Sequence, residues 1–185
     1  MSQTIALKQN TVFKEIAIVL AGSLFMALMA QVRVPLPFTP VPLTLQTLAV
    51  FLLGGILGPK RALLSLIAYL IEGTCGLPIF NGGSINPLWF LGPHAGYLWG
   101  FVLAAFVVGK LTENREDFFR FLLALLVGEA IILGLGTSWL ALFMGWKKAF
   151  LVGAAPFFIG ATLKMCAGSF ILKSYVITRQ AFFSR

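Results

Sequence analysis

Apolar positions in this chain do not alternate with polar ones. They gather instead in mostly apolar stretches of 15 to 23 residues. An amphipathic helix of a soluble domain would return a polar residue to its outer face every three or four positions. A strand of a membrane barrel would alternate over about 10 residues. Neither pattern is present. Six stretches approach the roughly 20 mostly apolar residues a membrane helix needs: 13–32, 42–57, 62–76, 95–109, 121–143 and 150–172. The second, third and fourth are short, which predicts tilt or local thinning of the bilayer. The pattern predicts an all-α, polytopic integral membrane protein, a six-helix bundle forming a single membrane domain over 1–185.

Composition agrees with the pattern. Of 185 residues, 59% are hydrophobic and 11% are charged, against roughly 25% charge in a soluble domain. A cytosolic globular domain and a disordered chain are both excluded. The net charge is +8, from 14 Lys+Arg and 6 Asp+Glu. In a soluble chain this balance would suggest nucleic acid. Here it follows the spans instead. Lys8, Lys14, Lys60, Arg61, Lys110, Arg115, Arg120, Lys173, Arg179 and Arg185 fall on one side, and Arg33, Lys147 and Lys148 on the other. The positive-inside rule then predicts both termini in the cytoplasm and no nucleic-acid partner. A polar leader before the first stretch, with no small-residue cleavage site, predicts no removed signal peptide.

The predicted loops differ in kind. The cytoplasmic turns at 58–61 and 112–117 are short and charged, as plain connectors are. The outward segment 33–42 holds Pro35, Pro37, Pro40 and Pro42 and is otherwise largely apolar. Such a strip is stiff and extended. It serves either as a lid over a pocket or as packing across helix ends. The outward segment 76–94 combines Phe80, Trp89 and Phe90 with Asn81, Ser84, Asn86 and the pair Gly82-Gly83. Apolar walls with a few placed polar groups are what ligand pockets use. An irregular loop carrying interfacial aromatic residues accounts for Trp89, but less well for the glycines and amides.

Glu72, Glu129 and Lys164 lie within apolar stretches. A charge at mid-membrane costs about 2.5–3.5 kcal/mol on insertion scales, so each requires a reason. Lys164, near mid-depth of the last stretch, suits an anionic ligand group, or else an ion pair with Glu129 or Glu72. His94 is either a polar cap or a ligand contact. Cys75 and Cys166 are isolated and lack metal-ligand spacing. No nucleophile–base pair, acidic dyad or phosphate loop is present, so the chain is not expected to be an enzyme or to hold a metal or cofactor. Ala17, Ala21 and Gly22 form a short small-residue surface. It suits close packing with another span or with a separate membrane subunit.

Five ordered motifs point further. They are the Pro35-Leu36-Pro37…Val41-Pro42-Leu43-Thr44-Leu45-Gln46-Thr47 run, Gly54-Gly55-Ile56-Leu57-Gly58-Pro59, and Tyr69…Gly73…Gly76-Leu77-Pro78-Ile79-Phe80-x-Gly82-Gly83. Gly92-Pro93-x-x-Gly96-Tyr97 and Pro156-Phe157…Gly160…Lys164 complete the set. Together they resemble the BioY family over nearly the whole chain. These are the biotin-binding S components of energy-coupling factor (ECF) vitamin transporters. The resemblance implies a biotin pocket on the outer side of a prokaryotic cytoplasmic membrane, with segment 33–42 as a lid. It implies docking of a T component on Ala17, Ala21 and Gly22, with two cytoplasmic ATPases beneath it. Biotin is then cargo. Its ureido group needs partners such as Gln46, Asn81, Asn86 or Tyr97, with Gly82, Gly83 and His94 nearby, and its carboxylate would meet Lys164. One departure stands out. The family pattern carries an acid three positions before the lysine, where this chain has Ala161. Either ligand affinity or scope differs, or another acid compensates; Glu72 is the expected candidate. The alternatives are an S component for another small carboxylate vitamin and a membrane enzyme acting on a lipid-like substrate.

Overall fold

The computed structural model describes residues 2–35, 37, 41–114 and 117–183. Among them are seven helices and one short ribbon: α1 (Ser2–Gln31), β1 (Arg33–Val34), β2 (Leu43–Thr44), α2 (Gln46–Leu57), α3 (Pro59–Thr74), α4 (Ala95–Thr112), α5 (Phe118–Met144), α6 (Trp146–Gly153) and α7 (Phe157–Phe183). Helices α1–α5 and α7 fall on the six predicted apolar stretches, and the all-α class is as expected. Among the described residues three segments are long and apolar enough to cross a bilayer: Thr11–Gln31, Ala95–Thr112 and Phe118–Met144. Helix α2 is apolar but only 12 residues long. At 1.5 Å per residue it covers about 18 Å, well short of the hydrocarbon core.

Two predicted boundaries are corrected. The stretch 42–57 does not begin as helix. Leu43 and Thr44 pair antiparallel with Val34 and Arg33, so the chain enters α2 from a ribbon. Pro42 lacks an N–H and biases its predecessor toward extended backbone, which delays the helix. The stretch 150–172 is not one helix. Helix α6 stops at Gly153 and α7 starts at Phe157, with Pro156 in the turn between them. Lys164 therefore lies seven residues beyond the start of α7, about 10 Å along its axis. It is closer to the helix end than the uninterrupted reading predicted.

The core is built where helices cross. Phe51, Leu66, Tyr69, Val108, Leu125, Ile132, Leu140 and Leu172 are almost wholly buried. Leu20, Leu24 and Leu28 on α1, Leu123 and Leu126 on α5, and Phe170 on α7 face outward. A soluble protein rarely exposes so much contiguous apolar surface; in this membrane protein it is the lipid face. The α2–α3 turn is made by Gly58 at φ +79°, with Pro59 opening α3. Only glycine takes that φ readily, and proline suits the first helical position. Asp117 caps α5, accepting from the Arg120 backbone N–H at 3.2 Å.

The small-residue surface of α1 divides. Gly22 is buried against α3, where an added Cβ would lie 2.3 Å from Ser65 Oγ. Ala17 and Ala21 are exposed. The trio is thus not one docking face: Gly22 packs within the chain, and only the two alanines look outward.

Candidate ligand-binding site

A cavity of about 270 Å³ opens among the ribbon, the 76–94 segment and helices α2, α4, α5 and α7. Its volume is near the lower end of small-molecule pockets, which suits a compact ligand. Each helix contributes one face. From α5 come Glu129, Ile132 and Leu133, at spacings of three and four. From α7 come Phe157 and Lys164, seven residues apart on one stripe, with Ala161 between them. Helix α4 supplies Tyr97 and Phe101, and the start of α2 supplies Gln46 and Thr47.

Irregular backbone makes up the rest of the wall, and its own side chains hold it. Phe80 is buried edge-on to Tyr69, with ring centroids 5.5 Å apart, and also packs near Trp89. Trp89 Nε1 donates to Thr74 Oγ1 at 2.9 Å, and Trp139 Nε1 donates to the Gly92 carbonyl at 3.0 Å. The Tyr69 hydroxyl donates to the Ile79 carbonyl at 3.2 Å while accepting from Gln46 Nε2 at 3.1 Å. Residues 81–83 form a tight turn in which Gly82 has φ +65° and lies beneath the Arg33 side chain. A Cβ there would be 2.2 Å from Arg33 Nε. Glycine is needed for the φ and for the approach.

The expected ligand contacts Gln46, Asn81, Asn86, His94, Tyr97 and Lys164 all line this one cavity. Gly82 and Gly83 do not line it; they shape the turn that presents Asn81. The Tyr97 proton is already committed, since its hydroxyl donates to the Gly153 carbonyl at 2.7 Å. That bond joins α4 to the end of α6. Asn81 Oδ1, by contrast, is buried without a hydrogen-bond partner among the described residues. Segment 33–42 reaches the cavity through Arg33, Val41 and Pro42. Leu36, Phe38, Thr39 and Pro40 of the expected lid lie outside the described residues.

Lys164 is half-buried. Its ammonium donates to Thr47 Oγ1 and, at 3.4 Å, to the Thr44 carbonyl. Among the described residues neither Glu129 nor Glu72 pairs with it within 4.0 Å. The expectation for Glu72 is corrected. It accepts from Ser23 Oγ of α1 and does not line the cavity, because it sits on the face of α3 turned to α1. The acid in the cavity is Glu129. It is 4% exposed, and its Oε2 has no hydrogen-bond partner among the described residues.

Sequence reasoning singled out Glu129 as an intramembrane charge and a candidate ion-pair partner of Lys164, and Arg33 only as an outward base. Thr44 and Thr47 were visible three positions apart in the 35–47 run, a spacing that lets both meet one partner. The ends of that ribbon and of α2 bring them to Lys164.

Comparison with known proteins bears on the family and the fold. The BioY family model matches residues 1–180. The chain is 39% identical over 152 residues to the probable biotin transporter BioY of Pyrococcus horikoshii, covering 82% of this chain and 89% of that one. It is 37% identical over 139 residues to the biotin transporter BioY of Thermotoga maritima, covering 75% and 82%. Its fold matches the crystal structure of the S-component for biotin from an ECF-type ABC transporter. The TM-score is 0.79 at 26% identity, over 90% of this chain and 92% of that one. A family model spanning nearly the whole sequence, two such relatives and one shared helical architecture place this chain in the BioY family.

Proposed function

We propose that this protein is the biotin-binding S component of a vitamin uptake system, a transport subunit and not an enzyme. The observation that carries the reading is the cavity itself, in a chain of this family. Its walls are Phe80, Trp89, Phe101 and Phe157, and its polar groups are few and placed. A bicyclic ring can rest on the aromatic faces while the amides and Lys164 meet its polar edges. Hydrogen bonds from a charged donor are roughly twice as strong as neutral ones. Lys164 is therefore the contact on which affinity should depend most.

In this reading the cavity faces outward and both termini face the cytoplasm, in the cytoplasmic membrane of a prokaryote. A T component docks on the outward alanines of α1, Ala17 and Ala21, and two ATPases supply the energy for release.

The test is calorimetric titration of the purified, detergent-solubilised chain with biotin. Tight binding is expected, with strong weakening in Lys164→Ala. Absence of biotin binding, with a thermal shift from another small carboxylate vitamin, would assign the pocket to that ligand instead. A ligand that binds the folded state raises its melting temperature by mass action, so a vitamin panel separates these outcomes.

A further inference from the structure

The charges in the cavity are unevenly placed. Glu129 and Lys164 both line it, on neighbouring helices α5 and α7, and among the described residues they form no ion pair within 4.0 Å. Arg33 lies at its exposed rim on β1, its side chain laid across Gly82. Glu129 is the one acid in the lining, and its Oε2 is buried with no partner among the described residues. An orphaned buried carboxylate oxygen is costly. Its place in the wall of a cavity means that a ligand donor can relieve that cost.

These facts decide which end of the ligand belongs inside. A ligand carboxylate placed beside Lys164 would also face Glu129, a like charge in a region of low dielectric. A cyclic urea carries an acceptor and two N–H donors on one edge. It can take a hydrogen bond from the Lys164 ammonium on its carbonyl while giving one to Glu129. At the rim, Arg33 has no carboxylate within 4.0 Å among the described residues, and a guanidinium matches a carboxylate geometrically.

We propose that Glu129 is a specificity-determining residue that accepts the N–H edge of the ligand's ureido ring. The ring is then seated inward, and the ligand's carboxylate points outward to Arg33. This rests on the biotin reading above. It sets an acid of α5 into the wall to which α7 contributes Phe157 and Lys164. Ala161 is buried on the stripe between Phe157 and Lys164, and Glu129 reaches the same cavity from α5. It also assigns Lys164 to the ureido carbonyl rather than to the carboxylate.

The experiment titrates purified wild type, Glu129→Gln, Arg33→Gln and Lys164→Gln with biotin and with biotin methyl ester. Each pair of affinities is taken from one preparation, so a loss of folded fraction cancels in the ratio. Glu129→Gln should weaken both ligands by about tenfold, the loss of one charge-assisted bond. Arg33→Gln should weaken biotin and leave the ester unchanged. Lys164→Gln should weaken both. If Glu129→Gln leaves biotin unchanged or tightens it while sparing the ester, the carboxylate lies inward beside a repelling charge and the assignment is overturned. If Lys164→Gln, and not Arg33→Gln, abolishes the difference between the two ligands, the orientation is overturned. Wild type that binds neither ligand refutes the biotin reading itself, which is a separate outcome.

Discussion

The ammonium of Lys164 on α7 donates to the hydroxyl of Thr47 on α2, a residue 117 positions earlier in the chain. The bond holds a long, flexible side chain in one rotamer before any ligand arrives. A pre-oriented donor loses less entropy on binding than a free one. Thr47→Val keeps the shape and removes the acceptor. It should weaken biotin by roughly tenfold, on the scale of one hydrogen bond to a charged group, while Thr47→Ser retains most of the affinity. Calorimetry of the two variants checks this. Equal affinity in Thr47→Val and wild type would mean that the threonine does not position the lysine.

Tyr97 depends on two glycines. An added Cβ at Gly136 would lie 2.1 Å from Tyr97 Cδ1, and one at Gly153 would lie 2.4 Å from its hydroxyl oxygen. Gly136→Ala should therefore cost about 1–3 kcal/mol of stability by overpacking. It should also lower ligand affinity, because the Tyr97 ring lines the cavity. Gly134, two residues earlier on α5, has no atom within 4 Å of such a Cβ. Gly134→Ala should be neutral, or stabilising by about 0.5–1 kcal/mol through helix propensity. Thermal unfolding of the two variants in detergent gives the comparison, and equal losses would contradict it.

Helix α5 shows how much of this was legible in advance. Its long apolar run predicts a span directly, because lipid leaves the backbone few choices. The small and polar residues within it, Gly128, Glu129, Gly136 and Thr137, carry no such instruction. Whether Glu129 serves as an internal ion-pair partner or a cavity wall depends on which helices flank α5, and that is a matter of tertiary packing. The same limit divided Ala17 and Ala21 from Gly22. Spacing alone puts small residues near one another, but the position of Ser65 on α3 decides which of them is covered. Pro156, inside the last apolar stretch, predicts a kink by itself. The full break between α6 and α7 needed the paired effects of Gly153 ending one helix and a proline preceding the next. The ribbon of 33–34 with 43–44 was hidden because two residue pairs are too short to show a period.

Trp89 reports on the pocket. It is 5% exposed, lines the cavity, and stands 5.3 Å from Trp99 between ring centroids. Ligand rings packed on it change the polarity around its indole. Biotin should therefore shift the intrinsic fluorescence of wild type. Trp89→Phe should remove most of that signal and lose the bond to Thr74, at a cost of about 0.5–1.5 kcal/mol in stability. A shift of full size in the variant would place the ligand elsewhere.

Docking of a T component on Ala17 and Ala21, as proposed, predicts that substitutions there separate capture from transport. Both are exposed on α1, four residues apart on one helical face, and neither lines the cavity. Small side chains at that spacing let another membrane helix approach closely, and a bulky side chain there blocks the approach without touching the ligand. Ala21→Trp should leave biotin affinity of the purified protein unchanged, within about twofold. It should abolish both co-purification with a T component and energised uptake in cells that carry the complete transporter. Gly22→Ala works inward instead. Its Cβ would meet Ser65 and Leu53, so it should lower thermal stability as overpacking does, by about 1–3 kcal/mol. The pair of variants distinguishes a docking face from a packing face one residue apart. Uptake preserved in Ala21→Trp would show that the partner approaches along a different helix.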